Sequence, residues 1–552
     1  MTKTMSRFGY FLVVAVLLGA LALAPPAQSG VATPKGQQQQ PSSQESVAEP
    51  ATDEFTETLV GDLTARGFLV SQGYPMLYPI EACKEYTYPL LKSCFGNNPA
   101  APYVIPVMKS WPDEYIDPAT VNAFGATDPG YSVTYRLDPR EAIVIYGKMP
   151  PPGKYMGLQT WEWSQDGRWK SKDYDHYARI PDFFPMEYLF DTIPPNNPKS
   201  GRVWTFSALG DIVNNFVMER KSGYPFGERR YFIITSDATM DHAVRSALQA
   251  RGVDDSCIFT EQIPPRDDLG PIEPLGMGKN AIDFLTFFRY AVPDPNYQDA
   301  AQTWRTTPPL TVLRVRGSRG VAQRYQSLTF EPRTANSEAD LAGDLQNLVA
   351  AVCERASSTY KLQSTDCTQP PASSFMIDPV RDYGWIGPYC RKIDMNCNGD
   401  QQDAAYFFSR PLPLDSGEVY AVVDTLATKT GNATYAALAV MDASILNGVA
   451  AILDTDLEGS AIGYAASVEN TDKFFVYYFT RHCDAIQNLT DGKCTTITED
   501  MVPLQGNTTA LGDPALHGMF MVALRDYIAL DTERGPDSTK LLTPIILTFT
   551  QP

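Results

Sequence analysis

The sequence predicts a mainly β, α+β protein, sandwich- or jelly-roll-like, made of two tandem related β-rich units. Three observations carry this expectation. Short apolar or alternating runs (132–135, 142–146, 157–163 and 230–235) lie between proline, glycine and aspartate residues, as the strands of a sandwich lie between its turns. The 44 prolines suit loops and edge strands better than long helices. A series of landmarks also occurs twice, in the same order.

Cys83 and Cys94 precede Tyr103, and Cys390 and Cys397 precede Tyr406; each tyrosine comes nine residues after the second cysteine. Glu141 opens the apolar run 142–146, and Glu418 opens 419–423. Tyr155 and Leu158 are matched by Tyr435 and Leu438, the run 231–235 by 474–479, and Cys257 by Cys494. Arg289 and Tyr290 are matched by Arg525 and Tyr527, and the run 311–315 by 545–549. No single match is specific, but their common order points to duplication. The units are placed at 54–318 and 373–552, with a linker at 319–372.

Two helices stand out. Residues 240–251 follow Asp237 as N-cap and precede Gly252 as a stop. Residues 337–355 carry Leu341, Leu345, Leu348 and Val352 at helical spacing, as an interdomain helix packed on one unit.

At the N-terminus, Lys3 and Arg7 precede an uncharged apolar run, 8–24, and the small residues Ala27 and Ser29 then flank a cleavage site before Gly30. Basic, apolar and small in that order is the pattern of a signal peptide at 1–29, with an uncleaved anchor as the other reading. Residues 30–53 are rich in Gln, Pro and Ser and read as a disordered tether. The expected location is therefore secreted or extracytoplasmic, in a periplasm or at a cell surface, with no membrane span in the mature chain. A net charge of −19 argues against nucleic acid as a partner, since phosphates would be repelled.

Nine cysteines in an exported chain leave one over. Pairs closing short loops are expected: Cys83–Cys94, Cys353–Cys367, Cys390–Cys397 and Cys483–Cys494, with Cys257 free. Asn432, Asn488 and Asn507 begin N-x-[ST] sequons and are expected on exposed turns if the host glycosylates.

The sequence contains no serine nucleophile elbow, no H-E-x-x-H, no complete phosphate loop and no C-x-x-C. Its four histidines are scattered singly, so a histidine zinc site would need distant segments to converge. Two candidate sites remain. Trp161 and Trp163 share one face of a strand, with Trp169 close behind; exposed, they would form a stacking platform for sugar rings with Asp166 and Arg168 at the rim, and buried they would be core. Asp394, Asn396, Asn398, Asp400 and Asp403 alternate around Gly399 as the oxygen ligands of one weakly held calcium ion would, although position 12 of such a loop is Ala405 rather than glutamate. The bland reading of that stretch is a polar turn.

The sequence thus supports an exported β-rich binding or interaction protein, with a glycan or other surface polymer as the first ligand to test. An extracytoplasmic hydrolase such as a glycosidase, using paired carboxylates, is the enzymatic alternative. A structural envelope protein is the third.

Overall fold

A computed structural model describes residues 52–550, apart from 168–200, 268–269, 362–363, 365–366, 368–369, 372–373, 379–390, 392–393, 395, 397–398 and 416. The segments read as signal peptide and, for the most part, tether (1–51) therefore lie outside the described residues, as do Arg168, Trp169, His176, Asn398 and the expected pair Cys390–Cys397. Residues 52–552 form a single compact unit, so the boundaries drawn at 318 and 373 separate halves of one body.

The fold is β-rich α+β. The first half contributes β1 (Phe68–Tyr78), β2 (Tyr103–Lys109), β3 (Tyr131–Ser132), β4 (Thr134–Arg136), β5 (Glu141–Lys148) and β6 (Gly153–Ser164). It continues with β7 (Ser207–Asn214), β8 (Arg229–Thr235), β9 (Ile258–Gln262), β10 (Arg266–Asp267), β11 (Gly270–Pro271), β12 (Asp283–Pro293) and β13 (Leu310–Gly317). The second half contributes β14 (Ala404–Phe408), β15 (Leu412–Pro413), β16 (Glu418–Thr425), β17 (Tyr435–Asp442) and β18 (Asn447–Leu453). Its last strands are β19 (Phe474–Thr480), β20 (Cys494–Thr496), β21 (Met519–Tyr527) and β22 (Ile545–Thr550).

The pairings in the two halves run in the same order. The first half has β7-β6-β12-β2 and β9-β8-β5-β13; the second has β18-β17-β21-β14 and β20-β19-β16-β22. In each half the cysteine-led strand is the parallel one, β9 beside β8 and β20 beside β19. Register agrees as well: Arg289 lies opposite Tyr103 and Gly157, and Arg525 opposite Tyr406 and Ala437. In the first half β1 pairs with both β13 and β2 and so joins its two sheets. In the second half two isolated bridges among the described residues, Phe375 with Ile545 and Ile377 with Phe408, make the corresponding connections.

Because strands alternate faces, each sheet shows one apolar set to each side. Ala142, Val144 and Tyr146 pack outward against Phe55, Leu59 and Leu63 of the helix Thr52–Ala65 and against Met240, Val244 and Leu248 of the helix Ala238–Gln249. The intervening Ile143 and Ile145 pack inward with Leu158, Phe284 and Phe288 from the other sheet. The far face of that sheet meets the second half through Leu285, Phe287, Trp161, Tyr406, Tyr435 and Tyr527. Beyond it, Phe407, Leu438 and Val522 share a cluster with Tyr420, Val422 and Phe475. Leu345, Leu348 and Val352 of the helix Ala342–Tyr360 then close the outer face of the last sheet. The clusters thus stack as helix, four sheet layers and helix, with the junction of the halves in the middle.

Helix ends follow their caps. Asp237 accepts Thr239 N–H at 2.9 Å, and Gly252 has φ +84°, as a helix stop requires. Cys83–Cys94, Cys353–Cys367 and Cys483–Cys494 are bridged, and Cys257 is free and half-buried. Three disulfides fit an oxidising, extracytoplasmic compartment. Among the described residues no helix is long and apolar enough to cross a membrane.

Candidate functional site

The junction holds a small cavity of about 50 Å³. Its walls come from both halves: Tyr103, Phe124, Phe206 and Phe287 from one, Tyr406, Phe408 and Tyr527 from the other, with Gly96 and Gly399 at corresponding places after the cysteines. Two guanidinium groups line it, Arg289 from β12 and Arg525 from β21. Strand alternation places Arg289 on the face of Leu285, Phe287 and Ala291, and Arg525 on the face of Met521, Ala523 and Tyr527.

Both arginines are buried, at 8% and 2% exposure. Arg525 donates through Nη2 to Gly96 O at 2.6 Å, while its Nη1 is buried without an acceptor. Arg289 donates no hydrogen bond to a described residue, and its Nε is likewise buried and unsatisfied. Neither forms an ion pair among the described residues. Aromatic faces supply part of what is missing: Arg289 lies 4.9 Å from the Trp161 ring and 5.3 Å from that of Tyr103, and Arg525 lies 5.8 Å from Phe408. Cation–π contacts contribute about 1–2 kcal/mol each, less than the several kcal/mol that burying an ion costs. The phenols of Tyr103, Tyr155, Tyr406 and Tyr435 are pushed up by burial, so at neutral pH they offer dipoles rather than counter-charge.

Hydrogen bonds link the polar groups of the junction. Asn98 Nδ2 donates to the hydroxyls of Tyr435 and Tyr527 at 3.2 and 3.0 Å, and its backbone N–H donates to that of Tyr103 at 3.0 Å. Tyr155 Oη donates to Asp403 Oδ2 at 2.5 Å and accepts from Gln401 Nε2 at 2.6 Å. Desolvation raises Asp403 to about 6, against the lowering effects of Tyr155 and Arg289. Asp400, also raised to about 6 by burial, is the one carboxylate among the described wall residues, and its Oδ1 accepts Ala208 N–H at 2.7 Å. The paired acids of a glycosidase are therefore not what these walls present.

The segment after each cysteine reaches across to the other half. Asn97 Oδ1 accepts Gly448 N–H at 2.6 Å on β18, as Asp400 Oδ1 accepts Ala208 N–H on β7. Ala208 lies opposite Trp161, and Gly448 opposite Met441, so these contacts also fall at corresponding register positions.

The stretch read as a calcium loop is part of this crossing. Asp394 Oδ1 accepts Gln165 Nε2, Asn396 Oδ1 accepts Trp204 N–H, and Asp400 and Asp403 are bonded as above. Donors from the first half occupy these oxygens, and among the described residues no group of three or more His, Cys, Asp or Glu side chains gathers to hold a metal.

Trp161 and Trp163 do share a face, but it is the junction: both are fully buried, and Trp161 Nε1 donates to Asp400 O at 2.8 Å. An open sugar platform on these two rings is thus corrected to core. Asp166 is exposed at the strand's end. Of the sequons, Asn488 and Asn507 are exposed. Asn432 is a correction: it is fully buried, with Nδ2 donating to Glu338 Oε1 at 2.9 Å and to Asn336 O, because it ties the segment before the helix Ala342–Tyr360 to the turn after β16.

Sequence reasoning aligned Arg289 with Arg525 but did not read them as a site. The available signal was an arginine in the middle of each of two long apolar strands.

No family model matches this chain, and no curated protein does. Among solved structures it is similar to an uncharacterized protein from Burkholderia cenocepacia, at 10% identity over 92% of this chain and 91% of that one, with a TM-score of 0.32. It is also similar to the VPA0106 protein from Vibrio parahaemolyticus, at 9% identity over 75% of this chain and 87% of that one, with a TM-score of 0.32.

Proposed function

We propose that this chain is an exported binding protein made of two related halves, and that it holds a small ligand in the cavity between them. The observation that carries the reading is the cavity itself, walled from both halves by aromatic rings and by polar groups with unused hydrogen-bonding capacity. Small-molecule sites have this composition and sit at such junctions. The signal sequence and the three disulfides support the exported location. A volume of about 50 Å³ exceeds that of a single water and suits a ligand of a few heavy atoms rather than a sugar ring. At a ceiling of about 1.5 kcal/mol per atom, a four-atom ligand would reach a Kd of tens of micromolar at best.

The test is crystallographic. Crystals of the full chain soaked in formate, acetate, nitrate and acetamide should show at least one of them between Phe287 and Tyr406, with a higher melting temperature in solution for the same compound. If all four leave the cavity empty, this reading fails.

A further inference from the structure

We propose that the cavity recognises a small planar oxyanion, a carboxylate of one or two carbons or its isosteres, held between Arg289 and Arg525. The inference rests on the binding reading above and gives it a ligand class. Two cations line the same small space, and both act on the same two phenols, Tyr103 and Tyr406. Like charges enclosed together repel, and each is deprived of water. A buried charge is otherwise paired or coordinated, yet among the described residues neither guanidinium touches a carboxylate, and Arg289 acts on the buried Asp403 only at a distance. Meanwhile Arg289 Nε and Arg525 Nη1 are donors with nothing to donate to. An anion entering the space would answer both deficits at once.

Guanidinium chemistry narrows the class. Its fork of N–H donors matches two oxygens in one plane, as in a carboxylate. The aromatic rings of Phe287 and Phe408 leave apolar wall for a hydrogen or a methyl group. The duplicated placement of the two arginines, each opposite a tyrosine on the neighbouring strand, gives the anion one fork from each half.

Calorimetry on the full chain compares acetate with acetamide, which has the same shape and no charge. Acetate should bind at least ten-fold more tightly, and Arg289→Met and Arg525→Met should each weaken acetate at least ten-fold. Sulfate and phosphate form a second arm; tighter binding of either than of acetate would overturn the planar assignment. If acetamide binds as well as acetate, or if both Met variants keep acetate affinity, the oxyanion inference is wrong while the cavity still binds ligands. If formate and nitrate also stay out of the crystal when acetate and acetamide do, the binding reading falls with it; if acetate alone of the anions fails while acetamide enters, only the oxyanion inference falls. Should a Met variant fail to fold, the acetate–acetamide comparison on the parent decides alone.

Discussion

Trp161 shows how a residue's surroundings decide its role. Its ring packs, tilted, against Phe206 and Phe287 and faces the guanidinium of Arg289, and its indole N–H is satisfied by Asp400 O. Trp161→Ala would leave a cavity, an unpaired carbonyl and a less shielded cation, so a loss of about 3–5 kcal/mol is expected in denaturant melts. A variant that melted like the parent would show the ring to be peripheral. Asp400 and Asp403 give a pH prediction at the same scale. Burial raises both to about 6, above the unfolded value near 3.9, so the native state binds more protons than the unfolded chain between those limits. Their contribution is therefore full below about pH 4 and is lost as pH rises through 6. Asp400→Asn, which can still accept from Ala208, should gain on the parent by up to about 3 kcal/mol between pH 4 and pH 7. A difference in melting that stays flat with pH would mean that Asp400 ionises normally.

At the scale of elements, Gly448 marks where one half grips the other. A Cβ at this position would sit 2.6 Å from Asn97 O and from the Pro99 ring, both in the segment that follows Cys94. Gly448→Ala must push that segment off the β18 edge, and a loss of about 1–3 kcal/mol is expected on melting. A neutral result would show that the segment yields freely. This crossing was not legible in the sequence. Asn97, Asp394, Asn396 and Asp400 read as turn or ligand residues because their partners, Gly448, Gln165, Trp204 and Ala208, are distant in the chain. Local signals fared better: Asp237 and Gly252 bounded a helix correctly, and spacing alone gave the three described disulfides. The β-rich α+β class followed from short strands between turns. The helix Thr52–Ala65 was missed although Phe55, Leu59 and Leu63 recur every four residues, because compositional bias in the preceding segment extended the tether to residue 53. Arg289 could be matched to Arg525 but not oriented, since β12 and β21 are apolar on both faces and alternation gives no sign of which face meets the other half.

On the scale of the whole molecule, the stacked layers predict how the halves depend on each other. The cluster at the junction is built by Trp161, Leu285 and Phe287 from one side and by Tyr406, Tyr435, Met441 and Tyr527 from the other, all nearly fully buried. Cutting the chain between β13 and the helix Ala342–Tyr360 would leave each half its own inter-sheet core but expose this aromatic face over the breadth of a sheet. A contiguous apolar patch of that size drives association. The cut also strands charges: Arg391 would lose Asp267 and Glu162, and Lys154 would lose Asp454. Expressed alone in an oxidising compartment, residues 54–330 and 331–552 should each aggregate or show the exposed-surface dye binding of a loosely packed state. Co-expressed, they should recover a soluble one-to-one complex with a single melting transition, because the junction needs no covalent link to form. Size-exclusion chromatography with light scattering distinguishes the outcomes. Two separately soluble, cooperatively melting monomers would show that the junction is not required for either half to fold, and would leave the cavity as a contact between independent domains.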